Sequence, residues 1–219
     1  MQYKHNSKEK IWDLSLRLFH IILIFLITGS IVTAKLNFLE IHQFFGVSLI
    51  GLISFRILWG VIGTNYSRFK SLDLSVSGAL NQLSRKKNKN VYNIKTPLGS
   101  YSTLVFMVIL IILTVSGLFS SDDVLYDGPL AHLTPNHTFY WVRIHDYSHY
   151  ILYCLISLHI IAILYYQKVK KHNLIKRMFG FYYKIDQHIS SKNNETPFKG
   201  VFILLVCTTL PSLFLILTN

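Results

Sequence analysis

Charge is what this sequence has least of. Only 15% of its 219 residues are Asp, Glu, Lys or Arg, where a soluble domain carries about 25%. Acidic residues are the scarcer sign, 10 against 22 Lys and Arg, for a formal net charge of +12. Hydrophobic residues make up 51% of the chain, and the mean hydropathy is +0.39. That balance argues against both a soluble enzyme and a disordered tail. Cysteine is nearly absent. The two present, Cys154 and Cys207, fall in apolar stretches, which speaks against a disulfide framework, and there is no C-x-x-C-H to attach a haem covalently. No Gly-rich phosphate loop, paired catalytic carboxylates or Ser/His/Asp arrangement occurs, so hydrolytic and nucleotide chemistry have no support. Pro/Gly-rich linkers, internal repeats and low-complexity tracts are also missing.

What the chain has instead is long uncharged runs. A helix needs about 20 residues to cross ~30 Å of hydrocarbon. Five transmembrane helices are predicted on that basis, at roughly 12–34, 39–63, 98–120, 141–167 and 200–217. None has the period-2 pattern of a membrane β-barrel. The expected fold class is an all-α integral membrane protein, a four-helix transmembrane bundle with a fifth C-terminal transmembrane helix. Residues 1–178 form the bundle domain, 179–199 a polar cytoplasmic connector, and 200–219 the additional helix. The basic start and Val32-Thr33-Ala34 imitate a cleavable signal peptide. The apolar run is longer than a signal's core of 7–15 residues and is interrupted by Asp13, Arg17 and His20, so a retained helix is expected. Residues 172–185 mix basic and aromatic side chains as an interfacial helix would.

The basic residues alternate between loops. All Lys and Arg except Lys35, Arg56 and Arg143 lie in the N-terminal segment through Arg17, in the loop at 63–99 or in the loop at 167–199. The loop at 120–142 has no Lys or Arg and carries Asp122, Asp123 and Asp127. This is a positive-inside pattern, with a cytoplasmic N-terminus and a periplasmic C-terminus in the bacterial inner membrane. Topology and anionic lipid account for the net charge, and no nucleic-acid partner is expected.

Ionisable residues within spans are functional candidates. Four of the ten histidines pair by depth. His20 lies about 12 Å into the first helix and His159 about 10 Å from the same membrane side in the fourth. His42 and His145 each lie about 6 Å below the opposite side. His145 and His159 are 14 residues apart, nearly four turns, so one helix offers one ligand at each of two levels about 21 Å apart. Opposed imidazoles at each level suit the axial positions of a b-type haem, and an iron so held has no open position, which favours electron transfer over oxygen binding. Haem edges would then be about 10 Å apart. Arg56, 14 residues after His42, and Arg17, three before His20, are candidate partners for haem propionates at the inner level, and Arg143 at the outer. The bland alternative for each is snorkelling to lipid phosphate. His149, one turn after His145, rivals it as the outer ligand. The outer aspartates would dock a basic partner, accept protons, or only cap helices.

RLFH (17–20), IHQFFG (41–46), FRILWG (55–60), GLFSSDD (117–123) with DGPLAHL (127–133), and the His145/His159 pair together resemble the bacterial cytochrome b561 / nickel-hydrogenase b-type cytochrome family over roughly residues 11–178. WDLSLRLFH (12–20) is similar to the opening of its cytochrome b/b6-domain members. The resemblance implies a haem-binding four-helix core with two non-covalent b haems on His20, His42, His145 and His159. It implies electron transfer between the quinone pool, or a hydrogenase-type donor, and a c-type cytochrome or other periplasmic redox protein, with quinone as a further ligand and a homodimer as one assembly. The fifth helix departs from the pattern and bears on how partners dock. Two other functions compete: a transporter relaying protons or solute through the histidines, and a cofactor-free membrane anchor.

Overall fold

A computed structural model describes residues 8–9, 13–83, 96–121, 126–169, 174–179, 183–184 and 197–218. It is helical apart from one antiparallel pairing of two-residue strands, β1 (Lys8–Glu9) with β2 (Tyr183–Lys184). The helices are α1 (Leu14–Lys35), α2 (Leu39–Ile62), α3 (Val76–Leu83), α4 (Pro97–Phe119), α5 (Thr138–Lys168), α6 (Leu174–Phe179) and α7 (Pro197–Thr218). Four of them, α1, α2, α4 and α5, are long and apolar enough to cross a membrane. In α7 the apolar part, Phe198–Leu213, is shorter. In the segment read as an interfacial helix, 172–185, the described residues are α6 and the two of β2. Asp122 and Asp123, and much of the connector at 179–199, lie outside the described residues.

Local chemistry sets the helix ends. Asp13 caps α1, its carboxylate accepting the Leu16 N–H at 2.7 Å, so the helix starts two residues later than the apolar pattern suggested. Asn37 follows α1 in the left-handed region at φ 58°, with Asn37 N–H donating to the Ala34 carbonyl and Phe38 N–H to that of Thr33. That is the bonding of a Schellman stop, and it turns the chain directly into α2. Thr96 caps α4, and Pro97 occupies the first helical position, where no N–H is needed. At the far end of α4 the loop folds back, and Gly128 N–H and Leu130 N–H donate to the carbonyls of Ser120 and Leu118. Gln82 of α3 accepts from Leu98 N–H and donates to the Tyr166 hydroxyl, tying α3 to the start of α4 and the end of α5.

The central helix is α2. It packs against α1, α4 and α7, while the main contact of α5 is with α4. Half of the most apolar window of α2 (50%) is buried inside the protein, against 11% for α5. Two apolar clusters meet on α2. Phe19, Leu26, Leu49, Leu52, Phe55, Trp59 and Leu204 join α1, α2 and α7. Ile53, Met107, Ile109, Leu110 and Leu152 join α2, α4 and α5, and Leu23 and Ile27 of α1 border both.

α7 is fitted to the α1–α2 pair. Pro211 has no N–H to offer the Cys207 carbonyl four residues back. That carbonyl oxygen lies against Gly51 of α2, where any side chain would collide with it. The close approach seats α7 against α2 at the turn where the proline interrupts the helix's own bonding. The Ser48 and Ser212 hydroxyls bond across the same contact at 2.7 Å. Nearer the start of α7, Gly200 lets the backbone approach Ser15 and Trp59.

Candidate functional site

The separation between α5 and the α1–α2 pair carries the histidines. At one level His42 of α2 faces His145 of α5, ring centroids 6.1 Å apart with planes at 89°. Toward the Asp13 end, His20 of α1 lies within electrostatic range of His159 of α5. The pairs expected from depth are thus brought together in space.

The outer pair is held in a specific way. His42 Nδ1 lies 2.9 Å from the Ser30 carbonyl oxygen and 3.1 Å from the Ser30 hydroxyl. His145 Nδ1 lies 2.9 Å from the Leu113 carbonyl oxygen and 3.4 Å from the Ser116 hydroxyl. A ring whose Nδ1–H donates to a carbonyl is the tautomer with its Nε2 lone pair free for a metal. His20 and His159 make no hydrogen bond to the described residues, and His159 packs edge-on against Phe106 at 5.5 Å between centroids.

Two imidazoles on opposite sides of one iron, each bonded through nitrogen at about 2 Å, place their ring centres roughly 6 Å apart. The 6.1 Å observed for His42 and His145 fits that spacing. Rotating a ring about the metal–nitrogen axis leaves the spacing unchanged, so perpendicular planes fit equally well. No group of three or more His, Cys, Asp or Glu able to hold a bare metal ion is found among the described residues. A porphyrin supplies four nitrogens of its own, so two protein ligands suffice. The donor set therefore fits a haem and does not fit a structural zinc.

The arginines divide. Arg17 and Arg56 are buried, 7% and 5% exposed. Arg56 donates to the Ser67 carbonyl at 3.3 Å, lies over the Phe69 ring at 4.6 Å and is within electrostatic range of Asp13. The chain itself thus places an anion within electrostatic range of Arg56, where the sequence suggested a haem propionate or lipid phosphate. Arg143 is exposed and lies over Phe139 at 5.1 Å. It precedes His145 by two residues, about 200° around the helix, so it points away from the His42–His145 pair. His149 stacks beside Tyr150 and Tyr153, ring centroids 4.0 and 5.3 Å away, while His145 takes the position opposite His42.

Sequence reasoning missed Asp13 as more than an interruption. Its carboxylate is 8% exposed and accepts from Trp59 Nε1 at 2.9 Å and from the Thr64 hydroxyl at 2.7 Å, besides capping α1. Ser30 and Ser116 were missed as well. Serine is common in apolar helices, and only adjacency across helices marks these two. At the outer loop the Ser121 hydroxyl donates to Asp127, and the two residues form an antiparallel bridge. Burial, with Glu40 nearby, pushes the Tyr126 phenol up.

A sequence model described as prokaryotic cytochrome b561 matches residues 11–181, most of the chain. No curated protein and no solved structure matches it.

Proposed function

Because the chain belongs to the prokaryotic cytochrome b561 family, we propose that it is a dihaem b-type cytochrome carrying electrons through or along the inner membrane. The coarser part needs no proposal: this is a multi-pass membrane protein of a b-type cytochrome family, and its class of work is electron transfer. The dihaem reading rests on one observation. α5 presents His145 and His159 at two levels, one facing His42 of α2 and the other within electrostatic range of His20 of α1.

Held by His42 with His145 and by His20 with His159, haem would supply one-electron ferric/ferrous chemistry. The protein's part is to hold and insulate. His42 and His145 present Nε2 with Nδ1 tied to backbone. His20 and His159 lie in an apolar setting, with Phe106 beside His159. Arg17 and Arg56, buried at the inner end, are the cations we assign to the inner haem's carboxylates, and Arg56 is shared with Asp13. Arg143 faces away and is left to the lipid interface.

The alternation of basic loops supports a cytoplasmic N-terminus. It makes the His20–His159 level the inner one and α7 a fifth crossing that ends outside. With α7 seated on α1 and α2, the redox partners (quinol or a hydrogenase-type donor, and a periplasmic c-type cytochrome or similar acceptor) approach from the α4–α5 side or the outer loop.

The deciding experiment is a dithionite-reduced minus oxidised spectrum of the detergent-purified protein, with pyridine haemochrome quantification. Two b haems per chain are expected, falling to one in His20→Ala or in His42→Ala. One haem in the unaltered protein would remove one of the pairs. None, in cells supplied with haem, would overturn the reading.

A further inference from the structure

We propose that Ser30 and Ser116 are positioning residues that orient and electronically tune the outer ligand pair, and that the inner pair has no counterpart among the described residues. This rests on the dihaem reading above. The observation is a construction made twice. Each outer histidine directs Nδ1 at a backbone carbonyl on the neighbouring helix, Ser30 on α1 for His42 and Leu113 on α4 for His145, both at 2.9 Å. Each of those carbonyls also accepts from a hydroxyl three residues further on, Thr33 at 3.1 Å and Ser116 at 3.0 Å. Each ring nitrogen has a serine hydroxyl beside it, Ser30 at 3.1 Å and Ser116 at 3.4 Å. A glycine adjoins each serine. A Cβ on Gly117 would stand 3.0 Å from His145 Cε1 and 3.2 Å from Nδ1, so its absence makes room for the ring. A Cβ on Gly29 would stand 2.6 Å from the ring of Phe45, which lies on the same helix as His42.

Two helix pairs of unlike sequence thus arrive at the same bracket. With Nε2 given to iron, Nδ1 carries the hydrogen, and the carbonyl and serine oxygens share it. A carbonyl on Nδ1–H fixes the ring and raises its basicity as a ligand. A more basic ligand stabilises ferric over ferrous iron and lowers the midpoint potential. His20 and His159 lack such bonds to the described residues. The outer centre is therefore the lower-potential one, and the one that answers to these serines.

The test is a spectroscopic redox titration in the His20→Ala background, where only the outer haem remains, against His42→Ala, where only the inner remains. The outer haem should titrate lower. Ser30→Ala with Ser116→Ala should raise its midpoint by at least about threefold in the reduced-to-oxidised ratio, about 30 mV for a one-electron couple, and leave the inner midpoint in place. Ser54→Ala, an exposed serine of α2 bonded to its own helix, is the control and should change neither. A double alanine variant with full haem and an unmoved outer midpoint would overturn the proposal. Should the alanine variants lose the outer haem, Ser30→Thr with Ser116→Thr, which keep the hydroxyls, must restore both content and midpoint; failure to do so also overturns it. A wild-type protein without two haems would sink the dihaem reading instead, and is recognised before any serine is changed.

Discussion

Asp13→Ala should unfasten the inner end of the bundle. The Asp13 carboxylate caps α1 and receives the Trp59 indole N–H and the Thr64 hydroxyl, and it faces the buried Arg56. Loss of the cap costs about 1 kcal/mol. Each buried donor left without an acceptor costs about 1–3 kcal/mol. Thr64 recovers part of its share through the Ser67 hydroxyl 3.1 Å away, whereas Trp59, stacked on Phe55, has no second acceptor. Arg56 also loses an anion within electrostatic range. The lost cap and the buried donors together give an expected total of about 2–4 kcal/mol. Asp13→Asn keeps one acceptor oxygen, which can serve either the Leu16 N–H or the Trp59 and Thr64 donors but not both, and should lose about 1–3 kcal/mol. The assay is titration of the purified protein with SDS, followed by far-UV circular dichroism. If Asp13→Ala falls within about 0.5 kcal/mol of the unaltered protein, or if Asn is as damaging as Ala, the network does not fasten α1 to α2.

Gly51→Val should push α7 off α2, because its side chain meets the Cys207 carbonyl. The thiol-labelling rate of Cys207 in a Cys154→Ser background should rise several-fold, and an unchanged rate would mean that α7 does not need the close approach. Arg143→Ala should leave haem content unchanged, while Arg56→Ala should lower inner-haem retention, both read by pyridine haemochrome. His149→Ala should keep two haems, since its ring sits among Tyr150 and Tyr153, and loss of the outer haem would exchange its role with that of His145. The raised Tyr126 phenol makes the folded state hold a proton that the unfolded state releases from about pH 10 upward. Its contribution to stability is therefore complete below that pH and is lost as pH rises beyond it. Tyr126→Phe should flatten the alkaline fall in an SDS titration repeated between pH 9 and 11.

Several features were legible without coordinates. The rough limits of the four long apolar helices followed from the absence of charge, because hydrocarbon tolerates few ions and a helix has a fixed rise per residue, while at 200–217, where a fifth crossing was expected, the apolar part of α7 is shorter. The same fixed rise set the depths of His20, His42, His145 and His159 and predicted which would meet, since antiparallel crossings share levels. Tertiary structure alone decided which partner each buried polar group takes. Arg56 comes within electrostatic range of Asp13, 43 positions earlier in the chain, and the Cys207 carbonyl of α7 rests against Gly51 of another helix. Ser30 and Ser116 differ from other serines in apolar helices only by what a neighbouring helix sets beside them. Periodicity fixes depth and face within one helix, but the azimuth and distance between helices come from packing, and hydrogen bonds act over about 3 Å. Depth was therefore written in the sequence, and lateral partnership was left to the packed bundle.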